Sequence, residues 1–121
     1  LNYYQFFSVP AEKHDSNFFQ VDDEFHLWIM SASKNLYLTR NYELLHDQNL
    51  RFRILTGPRS AERLDQTCAE HTAILKACIK KDWNAASLAM EKHLQQSKEC
   101  TFELLLAKQL MEAGYTRAPR L

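Results

Sequence analysis

Glycine and proline are scarce in this sequence, with 2 and 3 residues, while leucine, alanine, glutamate, lysine and glutamine are plentiful, a composition that favours helix. Sustained alternation of apolar and polar residues is also missing, which argues against a sheet. No apolar run approaches the ~18 residues of a membrane span, and no secretory signal is visible. Clustered lysine and arginine are absent, and the formal net charge is zero; gripping nucleic acid needs such clusters, so this stretch is not expected to bind DNA by itself. The three cysteines, Cys68, Cys78 and Cys100, form no C-x-x-C pair. That count fits neither a disulfide scaffold nor a thiolate metal site, and a reducing cytoplasm is the expected location.

What the sequence does contain is helical periodicity over a length of one domain. An all-α, antiparallel helical bundle is therefore expected. Residues 1–7 read as the end of a helix, broken by Pro10. Residues 8–17 read as a connecting segment, in which His14 is an exposed loop histidine. The next helix covers residues 18–33, with an apolar arc of Phe18, Val21, Phe25, Trp28, Ile29 and Ala32. Asn35 reads as its left-handed cap. A second long helix covers residues 36–55 and stops at Gly57-Pro58; its apolar arc (Tyr37, Leu38, Leu44, Leu45, Phe52, Leu55) also contains Asn41 and Gln48, with Arg51 and Arg53 at its edges. Ser60 caps a helix over residues 61–80, whose arc includes Leu64, Cys68, Ile74, Leu75, Cys78 and Ile79. Asp82 caps a last helix over residues 83–113, with Trp83, Ala86, Met90, Leu94, Leu104 and Leu105 inward and Gly114 as its stop. Residues 115–121 read as a loose basic tail.

Polar residues interrupt these arcs in a pattern. Asp22 and His26 are one helical turn apart on the same face, at the edge of an inward arc. His71 falls in the middle of one arc and His93 within another. One inward histidine is ordinarily a satisfied core residue. Three on three helices, with an aspartate a turn away, form a normal ligand set for a divalent transition metal. The ion would also offset the several kcal/mol (roughly) that burying Asp22 otherwise costs. Zinc is the expected ion, with nickel and manganese also suited to these donors. Asp23 and Glu24 read as outward-facing. Arg51 and Arg53 read either as snorkelling to solvent or as a planar fork for a carboxylate.

Three blocks resemble the FCD domain, the C-terminal effector domain of FadR-type regulators in the GntR family. These are Asp22-Asp23-Glu24-Phe25-His26 with its trailing Ser31-Ala32-Ser33-Lys34-Asn35, then Ala69 to Ala77 around Glu70-His71, then Asp82-Trp83-Asn84-Ala85-Ala86 leading to His93-Leu94. The resemblance implies a helical effector-binding bundle over residues 1–121 and carries the metal-ligand role onto Asp22, His26, His71 and His93. It implies a small organic acid as effector, for which Arg51, Arg53, Asn41, Gln48 and Asn35 are the candidate contacts. It also implies a homodimer. Neither the winged-helix DNA-binding domain that precedes the family's effector domain nor that domain's first helix is recognisable, so DNA contact is expected only through a domain outside this chain. Two other readings compete. One is a metal-dependent hydrolase, for which no base or nucleophile stands at an obvious spacing. The other is a structural metal bundle, whose closed coordination would leave no position for a ligand.

Overall fold

The computed structural model describes residues 2–10 and 17–114. His14 and the 115–121 tail lie outside the described residues, as does most of the expected connection at 8–17. The described chain is helical throughout: α1 (Tyr3–Phe7), α2 (Phe18–Ala32), α3 (Leu36–Thr56), α4 (Ala61–Ile79) and α5 (Trp83–Glu112). No strand occurs among the described residues, and none of the helices is long and apolar enough to cross a membrane.

Side-chain caps define most of the starts. Asn2 accepts from the Gln5 amide at 3.0 Å, Ser60 from the Arg63 amide at 3.1 Å and Asp82 from the Ala85 amide at 3.1 Å. Each satisfies one of the amides that a helix N-terminus leaves without a partner. Asn35 differs from its expected role. Lys34, not Asn35, adopts the left-handed conformation (φ 56°), and Asn35 is extended and caps α3 through the Tyr37 and Leu38 amides. Gly57, at φ 78°, ends α3 as expected.

Short links at 33–35 and 80–82 turn α3 back on α2 and α5 back on α4, and the link at 57–60 joins α3 to α4. α4 packs mainly on α5 and also on α1, while α3 packs on α2 and on α5. The core is a cluster of Phe7, Phe18, Val21, Phe25, Cys68 and Leu75, with Tyr3, Phe6, Phe19, Ile29 and Leu64 packed against it. Rings meet edge to face within it, Phe7 with Phe25 at 5.3 Å and with Phe18 at 6.1 Å between centroids, an arrangement that suits the ring quadrupoles. Some residues expected inside are not. Trp28, Ile79, Trp83 and Leu94 are more than half exposed, because these helices bury only a narrow seam. The largest departure is α3, which buries no residue at all.

Candidate metal centre and ligand cavity

Three helices aim imidazoles at one point. The i, i+4 spacing on α2 stacks Asp22 and His26, α4 supplies His71 and α5 supplies His93. His71 is fully buried and His93 nearly so. The Nε2 atom of His93 lies 3.2 Å from that of His71 and 3.3 Å from that of His26. Asp22 Oδ1 lies 3.3 Å from His71 Nε2 and 3.7 Å from His26 Nε2. Metal–nitrogen bonds of about 2.0–2.1 Å put neighbouring tetrahedral ligands about 3.3 Å apart, which the His93–His71, His93–His26 and His71–Asp22 separations match, whereas the Asp22–His26 separation of 3.7 Å is wider. His26, His71 and His93 are the group among the described residues that could hold a metal, with ligand atoms all within 4.8 Å of one another.

Protonation suits that role. His93 Nδ1 faces Glu70 Oε1 at 2.7 Å; the carboxylate accepts there, so Nδ1 carries a proton and Nε2 is the nitrogen turned to the centre. Burial pushes the His71 pKa down to about 2, helped by His93, His26 and Arg63. Burial also lowers that of His26, against the pull of Asp22. Neutral imidazoles are the form that binds a metal. Asp22 Oδ1 is buried with no hydrogen-bond partner, an electron-pair donor facing other donors, which is costly unless an ion accepts them all. His71 Nδ1 also lacks a hydrogen bond; its ring packs edge to face on Phe7, 4.4 Å between centroids. No acceptor among the described residues supports that nitrogen as Glu70 supports His93.

Charged groups surround the cluster. Arg53 donates from Nη2 to Asp22 Oδ2 at 2.9 Å, and its Nη1 lies 3.0 Å from Asp23 Oδ1; its guanidinium stands 4.9 Å from the Phe19 ring centroid. Arg63 donates to both oxygens of Glu70 at 3.0 Å and to Ser97 Oγ at 3.1 Å. Burial alone would raise the Glu70 carboxyl, but the hydrogen bonds and charges of His93 and Arg63 outweigh it and hold it below the usual range. Beside the cluster opens a cavity of about 430 Å³, bounded among others by Asp22, His26, His93, Tyr42, Arg53 and Arg59. Burial, with Asp23 and Asp22 adding, pushes the Tyr42 phenol up to about 12, so it is a neutral donor in that wall.

Residues 7–96 match the FCD domain. The chain belongs to the FCD family. It is 34% identical over 84 residues to the Exu regulon transcriptional regulator of Escherichia coli (strain K12), and to the proteins of the same name in Escherichia coli O157:H7 and Shigella flexneri. Those alignments take in 67% of this chain and 33% of each relative, so the chain spans about a third of their length. No solved structure matches it. The FCD match contains all four clustered residues and Arg53, but it ends before Ser97, Thr101 and Leu105, which carry the cavity wall along α5.

The sequence-derived site residues divide in two. Asp22, His26, His71 and His93 come together as described, and Arg53 reaches Asp22. Asn35, Asn41, Gln48 and Arg51 are all exposed, and none is among the residues lining the cavity. Tyr42, Asn49 and Arg53 take the places expected for Asn41, Gln48 and Arg51. The expected inner arc assumed that α3 turns its apolar stripe inward. Of that stripe Phe52 borders the cavity, but its companions there, Tyr42, Asn49 and Arg53, are polar; Arg53 fastens the helix to Asp22 and Asp23, and Asp23 accordingly lines the site. Glu70, Arg63 and Arg59 escaped the sequence reading. Arg63 and Glu70 are two helical turns apart, beyond the i, i+4 spacing at which ion pairs are ordinarily sought, and Arg59 sits in a link where periodicity assigns no direction.

Proposed function

We propose that this FCD domain senses a small carboxylate through a bound divalent transition metal, as part of a regulator of transcription. One observation carries the reading: three histidines offer ligand atoms within 4.8 Å of one another beside a cavity, with a buried, unpartnered Asp22 oxygen 3.3 Å from His71 Nε2. His26, His71, His93 and Asp22 would hold the ion, with zinc the best match to nitrogen and carboxylate donors and nickel or manganese also suited. Bound there, the metal supplies a Lewis-acidic point to which a carboxylate oxygen can bind. The protein's own part is to keep His26 and His71 neutral by burial, to orient His93 through Glu70, and to balance Asp22 and Asp23 with Arg53. The cavity volume of about 430 Å³ is within the range of roughly 300–1,000 Å³ usual for small-molecule sites.

Regulation of transcription is supported by the name of the relatives, Exu regulon transcriptional regulator. In that role a cytoplasmic protein pairs two copies and touches DNA through a winged-helix domain outside these residues. A ligand with different affinity for two helix arrangements shifts the balance between them. The homodimer is supported by α3, whose outer sides carry Leu36, Tyr37, Leu44 and Ile54 at 69–82% exposure. Apolar surface on that scale ordinarily marks an interaction face.

A thermal-shift screen of two- to six-carbon carboxylic acids on metal-loaded protein tests the proposal. A ligand that binds only the folded state at a hundredfold excess over Kd adds about 2.7 kcal/mol, so some acids should raise Tm and chelation should abolish the gain. Metal-loaded protein that responds to no acid would sink the sensing reading.

A further inference from the structure

Three guanidinium groups stand in the cavity wall, Arg53, Arg59 and Arg63, and two of them are neutralised. Arg53 is paired with Asp22 and Asp23, and Arg63 with both oxygens of Glu70. Arg59 is half-buried in the link between α3 and α4. Its Nη1 donates to Thr56 Oγ1 at 2.7 Å and to the Gly57 carbonyl at 3.0 Å, both neutral oxygens. No carboxylate of the described residues forms an ion pair with it. It also borders a second cavity, of about 360 Å³, where Glu62, Glu99 and Glu103 form part of the wall without reaching it as ion partners. Nη1 is thus occupied, while Nε and Nη2 make no hydrogen bond among the described residues, although a guanidinium carries five donors. Burial and the neighbouring Arg53 and Arg63 all disfavour its charge, yet an arginine does not give up its proton in a protein. A half-buried cation in this state has donors left over for an anion from outside.

The rest of the wall agrees. Lys98 adds another positive charge, and the carboxylates of that wall, Asp22 and Asp23, are already committed to Arg53. A monocarboxylate held at the imidazole cluster would leave Arg59 facing the ligand's apolar end, which strands a partly desolvated charge. A second acid group would meet the planar donors of Arg59 in charge-assisted hydrogen bonds.

We infer that Arg59 is a second anchor in the ligand cavity, binding an acid group other than the one at the imidazole cluster, so that the ligand class is a small dicarboxylate. The inference rests on the metal-and-carboxylate reading above and adds to it a specificity residue and a charge for the ligand.

The test is isothermal titration of zinc-loaded protein with acids matched in carbon skeleton: succinate against butyrate, glutarate against pentanoate, malate against 2-hydroxybutyrate. The wild type should bind at least one diacid about tenfold or more tightly than its monoacid partner. In Arg59→Gln the diacid affinity should fall to the monoacid level while the monoacid affinity stays within about twofold, and Arg59→Lys should recover part of the preference by restoring charge without the fork. A diacid preference that survives in Arg59→Gln would overturn the assignment. So would metal-dependent binding of monoacids and diacids with equal affinity, which would leave the carboxylate reading standing. Absence of binding by every acid would overturn both. If Arg59→Gln fails to fold, the wild-type comparison and Arg59→Lys decide the matter.

Discussion

His93 is held from two sides, by Glu70 on Nδ1 and by the convergence of imidazoles on Nε2. Glu70 is in turn clamped by Arg63, so the orientation of the His93 imidazole on α5 depends on a pair of charges on α4. Carboxylates that support a ligating histidine are commonly worth about 10–100-fold in metal affinity. Glu70→Gln places a donor amide where two acceptor oxygens now serve Arg63 and His93, and zinc affinity should drop by about that factor in a competition assay with a chromophoric chelator. An unchanged affinity would mean that the Glu70 contact does not tune the site. At this scale the sequence was informative where local geometry suffices. Asp22 and His26 are joined by one helical turn, and His71 and His93 are polar residues inside apolar arcs, so their inward placement was legible. Glu70 was not, because its partner His93 lies on another helix and its partner Arg63 two turns back on its own.

The long helix α3 shows why an apolar stripe is an incomplete guide to the inward face. At about 100° per residue, its observed inner row is rotated by roughly a third of a turn from the expected arc. The inner row holds Tyr42, Asn49 and Arg53, while Leu44, Ile54 and Leu36 are exposed. The element's existence and its stop at Gly57 were readable from periodicity and turn residues, whereas Asn35 was read as the end of α2 and not as the cap that starts α3. Its rotation was not, because it is decided by ion pairs with α2 that no local pattern encodes. The two arginines should therefore behave differently. Arg53→Ala strips the cation from the buried Asp22 and from Asp23. Breaking a buried pair costs about 3–5 kcal/mol; since the Arg53 side chain is 26% exposed, about 1–3 kcal/mol is expected in urea unfolding of metal-free protein. Arg51→Ala, at an exposed site, should stay within about 0.5 kcal/mol. Equal costs for the two would show that the rotation of α3 has been misplaced.

At the scale of the molecule, two features have one arrangement behind them. Polar groups gather inside around a cavity, and apolar groups of α3 lie outside. The all-helical architecture was legible throughout from composition, periodicity and caps, whereas the outer apolar surface was not, since Tyr37 and Leu44 within it were expected to form the core. A second copy would have to cover that surface, and a standard interface buries about 800 Å² per partner. Sedimentation equilibrium should show a concentration-dependent dimer that Leu44→Asp and Ile54→Asp weaken while the helical spectrum is kept. A species of 14.2 kDa alone at every concentration would reject the pairing.

The central claim is that Asp22, His26, His71 and His93 hold one divalent metal ion, and metal analysis of untagged protein tests it most directly. Protein purified without chelator and re-equilibrated with zinc should carry close to one ion per chain, while His71→Ala and His93→Ala should each lose it and Arg51→Ala should not. Wild type and both histidine variants holding the same small fraction of an ion would contradict the account and return these histidines to the core as ordinary packed side chains.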